Sequence, residues 1–69
     1  MTQYLVIYER GEHTWGAYSP DLPGCVAAGR TREEVETLMS GAVQQHLAVM
    51  REQGLRAPTP ANFPGFVAA

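Results

Sequence analysis

Ser19-Pro20-Asp21-Leu22-Pro23-Gly24-Cys25, followed by Val26-Ala27-Ala28-Gly29-Arg30-Thr31, is the stretch on which the fold turns. Each proline fixes its own φ and removes a backbone donor. Each also pushes the residue before it, Ser19 or Leu22, out of the helical region. Gly24 follows Pro23 and tolerates the positive φ of a type II turn. The segment is therefore a stiff loop between strands, with a short third strand at residues 25–29 behind it. Thr31 then opens a helix.

Upstream of the loop, residues 3–9 (Gln-Tyr-Leu-Val-Ile-Tyr-Glu) are rich in aromatic and β-branched types. Tyr4, Val6 and Tyr8 share one face, and Leu5 and Ile7 share the other. Apolar groups on both faces predict a strand covered on each side. Arg10-Gly11-Glu12-His13 reads as a hairpin turn, and residues 14–19 as the second strand.

Downstream, Thr31-Arg32-Glu33-Glu34 matches a capping box. Glu33, Glu34 and Glu36 suit the positive end of the helix dipole, and Arg51 suits the negative end. Val35, Leu38, Met39, Ala42, Val43, His46, Leu47 and Met50 recur at spacings of three and four, which makes one apolar stripe. Gly54 is a natural helix stop. Pro58 and Pro60 then impose an extended path. Phe66–Ala68 reads as a short fourth strand, lying parallel beside the first after a right-handed crossover through the helix. The predicted fold is α+β, β-β-β-α-β: three antiparallel strands and a parallel edge strand packed on one long helix. Residues 1–69 form a single domain.

Composition narrows the function. A chain of 69 residues buries a modest share of its surface. Chains of this size commonly add disulfides, a metal or a partner. Cys25 is the only cysteine, which excludes a disulfide framework, and His13 and His46 lie far apart. Oligomerisation is the remaining expectation. The net charge is −2, there is no lysine, and the five arginines are dispersed. A phosphate-binding surface needs clustered positive charge, so direct DNA binding is not expected. No apolar run approaches the roughly 18 residues of a membrane span. The first residues lack the pattern of a signal peptide. A lone thiol without such a signal fits the cytoplasm, which is the expected location.

The residues that could carry chemistry have simpler explanations. Cys25 sits among Val26, Ala27 and Ala28 and reads as a packed strand residue rather than a nucleophile. His46 lies on the apolar helix stripe and reads as partly buried, while His13 reads as solvent-facing. Asp21, between two prolines, reads as a turn residue whose side chain bonds nearby backbone N–H groups. Glu9, Glu12 and Asp21 do not form a convincing metal site, because the first strand has no acidic residue in its interior. No cofactor and no catalysis are expected.

The Tyr-led first strand, the Gly-Ala-Tyr second strand, the Pro20–Cys25 block and Gly29-Arg30-Thr31-Arg32-Glu33-Glu34 together resemble the HicB antitoxin family. Glu52-Gln53-Gly54 and Ala57-Pro58-Thr59-Pro60 extend the likeness over residues 3–60. The resemblance implies a degenerate ribonuclease H-like fold without ribonuclease activity. It also implies an antitoxin that neutralises a small mRNA-cleaving HicA-type toxin by covering its active site. The residues expected to contact such a partner are Tyr18, Pro20, Asp21, Leu22, Pro23 and Gly24. A homodimer or higher oligomer is expected beside it. The alternative is a solitary homo-oligomeric regulatory or small-ligand-binding domain without a toxin partner.

Overall fold

In a computed structural model, which describes residues 2–69, the elements run β1 (Ile7–Arg10), β2 (Trp15–Tyr18), β3 (Val26–Gly29) and α1 (Arg32–Glu52). The strands form one antiparallel sheet in the order β1-β2-β3. The architecture is thus α+β, with a three-stranded sheet laid on one long helix. All three strands are shorter than the apolar runs predict. Tyr4–Val6 continue the line of β1 without ladder bonds, because the chain opposite them has already turned into the proline loop.

The hairpin between β1 and β2 is closed by Gly11 N–H donating to the Thr14 carbonyl at 2.8 Å. The register brings Ile7, Tyr18 and Val26 into one row across the sheet, and Tyr8, Ala17 and Ala27 into the next. Successive residues of a strand point to opposite faces. The row of Tyr8, Ala17 and Ala27 faces α1, joined by Tyr4, Val6 and Trp15. Ala17, Leu22, Cys25, Val35 and Met39 are buried at its centre.

The helix stop behaves as the sequence predicts, while the start forms one half of the expected capping box, the Thr31 cap, without a bond from the Thr31 N–H to Glu34 among the described residues. The Thr31 hydroxyl accepts from the Glu34 amide at 3.1 Å. The Glu34 carboxylate folds back over Gly29, where an added Cβ would lie 2.7 Å from its Oε1 and 3.1 Å from Val35 Cγ2. At the other end, Leu55 N–H donates to the Met50 carbonyl and Gly54 N–H to that of Arg51. With Gly54 at φ +73° this is a complete Schellman stop. Along the helix stripe, Val35 and Met39 are buried and Ala42, Val43 and Leu47 pack at the core's rim. Leu38 stays exposed, because a three-stranded sheet covers a narrower arc of the helix than the stripe spans.

The fourth strand is corrected. Phe66–Ala68 form no strand, and the sheet among the described residues has three. The chain after the helix is tethered elsewhere. The Tyr4 hydroxyl donates to the Pro58 carbonyl at 2.7 Å, and residues 61–62 are held by Asp21. Pro60 and Pro64 supply no N–H for a ladder, and beyond them Phe66 and Val67 are 96% and 95% exposed.

Candidate interaction surface

The proline loop is two β-turns in series. Leu22 N–H donates to the Ser19 carbonyl at 3.2 Å, and Cys25 N–H donates to the Leu22 carbonyl at 3.0 Å. Each turn has a proline at its second position, where the fixed φ is already correct. Gly24 takes φ +83° in the second turn, as the sequence predicts. Ser19 N–H reaches the Cys25 carbonyl at 3.3 Å and closes the base of the loop, while the Ser19 hydroxyl donates to the Leu5 carbonyl at 2.9 Å.

Leu22 is the residue shared by both turns, and this geometry drives its side chain into the core, where it is fully buried. It anchors the loop from beneath and presents nothing to a partner. Pro20 and Asp21 are half-buried, while Pro23 and Gly24 stand exposed at the tip. Tyr18 is exposed on the sheet face away from α1. Of the six residues assigned to partner contact, Tyr18, Pro23 and Gly24 lie at the surface.

Asp21 does more than stabilise its own turn. Its Oδ1 accepts from the Ala61 amide at 3.1 Å and from the Asn62 side-chain amide at 2.7 Å. The bonds to nearby backbone N–H groups expected from the sequence are replaced by these two, across some forty residues of chain. The backbone donors of the loop are instead taken up by the paired turns. Asp21 Oδ2 is buried without a hydrogen-bond partner among the described residues.

The open face of the sheet carries the row Ile7, Tyr18 and Val26, with Val26 64% exposed. Beside it runs the row Glu9, Gly16 and Ala28, low in profile from its centre to the β3 edge. Tyr18 and the Pro23–Gly24 tip therefore border one continuous surface: an apolar ridge, a shallow strip of small side chains and a rigid loop. A groove of about 420 Å³ between the start of β3 and the second half of α1, lined in part by Gly24, Val26, His46 and Val49, extends it around the β3 edge.

The chemically versatile side chains are dispersed. Cys25 is buried, and burial pushes its thiol above its ordinary pKa, which lowers the thiolate population that reactivity requires. His13 lies in the exposed hairpin, and His46 is half-buried on α1. Glu9 and Glu12 belong to the hairpin end of the sheet and Asp21 to the opposite end. Among the described residues no three His, Cys, Asp or Glu side chains converge on a metal-sized site, and no helix is long and apolar enough to cross a membrane. Arg32 is engaged locally, with its guanidinium 5.3 Å from the Tyr8 ring centre and its Nε 3.0 Å from Glu36 Oε1.

Compared with known proteins, residues 4–68 match the family model described as HicB_like antitoxin of bacterial toxin-antitoxin system. No curated protein and no solved structure matches the chain.

Proposed function

The chain belongs to the HicB-like antitoxin family of bacterial toxin–antitoxin systems, and we propose that it neutralises a small mRNA-cleaving toxin of the HicA type by covering that toxin's active site. On this reading β1-β2-β3-α1 is a degenerate ribonuclease H-like unit that has kept the scaffold and works by contact alone, in the cytoplasm, without catalysis. The observation that carries it is the uncovered sheet face, where Tyr18 and Val26 stand exposed in one row beside the rigid Pro23–Gly24 tip. Contiguous exposed apolar surface beside a fixed loop is the usual mark of a protein-binding site.

Tyr18, Pro23 and Gly24 would touch the toxin, with Pro20 and Asp21 at the border and Leu22 holding the loop in place. An aromatic side chain at the centre of such a patch is a common energetic anchor. A second copy of the chain is the other partner in this reading. Among the described residues five apolar side chains make up the buried core, a small core for a free-standing domain. Direct DNA binding is not part of the proposal, because the arginines are dispersed.

Co-expression with a cognate HicA-type toxin tests the proposal. Co-purification and restored growth are expected. Tyr18→Asp with Val26→Asp should abolish both while leaving the helical circular dichroism unchanged. A toxin that neither binds nor is restrained removes the antitoxin role.

A further inference from the structure

Residues 56–69 make no backbone–backbone hydrogen bond among the described residues. β1 is an edge strand, so one side of Ile7–Arg10 is also unpaired. Between the line of residues 3–8 and the chain at 60–64 lies a groove of about 630 Å³, with Tyr4, Leu5, Val6 and Phe63 among its walls. Beyond Pro64 the chain leaves its own groove. Nothing lies within 4 Å of a Cβ built on Gly65, and Phe66 and Val67 are almost fully exposed. One short apolar segment therefore lacks a strand to pair with, and one strand edge lacks a segment.

We infer that residues 65–69 of one copy add as a strand to the β1 edge of a second copy, with Phe66 seated in the groove, and that the exchange is reciprocal. This deepens the homodimer reading above and rests on it.

Several observations favour a second copy over a toxin at this site. Residues 2–8 and 57–69 contain no charged side chain, and the two charges of β1, Glu9 and Arg10, are of opposite sign, so no net negative charge here complements a cationic RNA-binding protein. Donor segment and acceptor edge are both present in every copy, which is the condition for a closed two-fold pair. Free edges and extended segments complete each other's hydrogen bonds by strand addition. A reciprocal pair would also bring Phe63 and Phe66 of both copies under cover. At roughly 150–250 Å² per phenylalanine, the four rings and the strands they meet come to about the 1,200 Å² at which stable interfaces begin. The arrangement leaves Tyr18, Val26 and the Pro23–Gly24 tip free for the toxin.

Sedimentation equilibrium of the full chain, of a Phe66→Asp/Val67→Asp variant and of a Val26→Asp control tests the inference, with circular dichroism confirming that each is folded. The wild-type chain should be a dimer at tens of micromolar. The tail variant should dissociate at least about tenfold more readily, and the control should match wild type. A monomeric wild-type chain overturns both the homodimer and the strand exchange, while toxin binding, read separately by co-purification, still stands. A tail variant as dimeric as wild type overturns the exchange alone. So does a control weakened as much as the tail variant.

Discussion

Asp21→Ala removes the acceptor that ties residues 61–62 to the proline loop, and its cost can be worked from the geometry. Oδ1 receives two hydrogen bonds, at 3.1 Å from the Ala61 amide and 2.7 Å from the Asn62 side chain. A hydrogen bond to a charged group contributes about 1.5–3 kcal/mol when shielded, and these two lie at the exposed side, so about 1 kcal/mol each is the better figure. Against this, Oδ2 is buried and unpartnered, and its removal returns on the order of 1 kcal/mol of desolvation. The net loss is about 1 kcal/mol, which at an m value near 1 kcal/mol/M lowers the urea midpoint by about 1 M.

Hydrogen exchange locates the effect. The Ala61 amide should lose its protection in Asp21→Ala, while amides in the middle of α1 fall only with global stability. Asn62→Ala completes a double-mutant cycle, in which a coupling of about 0.5–1 kcal/mol is expected for one such pair. If Asp21→Ala leaves the midpoint and the exchange at Ala61 unchanged, the clamp contributes nothing and the reasoning is refuted.

Two further outcomes follow from the core. Leu22→Ala should cost about 2.7–5 kcal/mol, since the side chain is fully buried, and at about 4 °C or more per kcal/mol for a domain of this size the melting temperature should fall by at least about 10 °C; a drop of a degree or two would contradict the anchoring role. For Cys25, burial raises the thiol's pKa in the folded state, so the unfolded chain loses its proton first as pH rises. Stability is then fully present below about pH 8 and falls as pH climbs through the ordinary thiol range near 8.5 and beyond. Urea midpoints of wild type and Cys25→Ala across pH 7–10 check the sign, because the variant should lose that part of the slope.

The elements built from local signals were legible in the sequence. Thr31 and Glu34 announce the helix start and Gly54 its end, and Pro23-Gly24 announces a type II turn, because each depends on residues within a few positions of one another. The burial of Cys25 followed from its apolar neighbours. The Asp21 clamp was not legible, since it joins residues forty positions apart and leaves no periodic trace. The exposure of Leu38 depends on the width of the sheet, which the helix stripe alone does not encode. Phe66–Ala68 has the composition of a strand, but the tethers at Pro58, Ala61 and Asn62 lead the chain past its own sheet. At the candidate surface, Tyr18 was visible as a residue of interest. Val26 was not, because its exposure follows from the register that aligns it with Ile7 and Tyr18 on the open face.

The central claim is that the open sheet face covers a toxin's active site. Its most direct test is a titration of a purified cognate HicA-type toxin's mRNA cleavage with the full chain and with Tyr18→Asp/Val26→Asp. Cleavage should stop at a fixed stoichiometry with the wild-type chain and persist with the folded variant. Equal inhibition by both chains would contradict the assignment of this face.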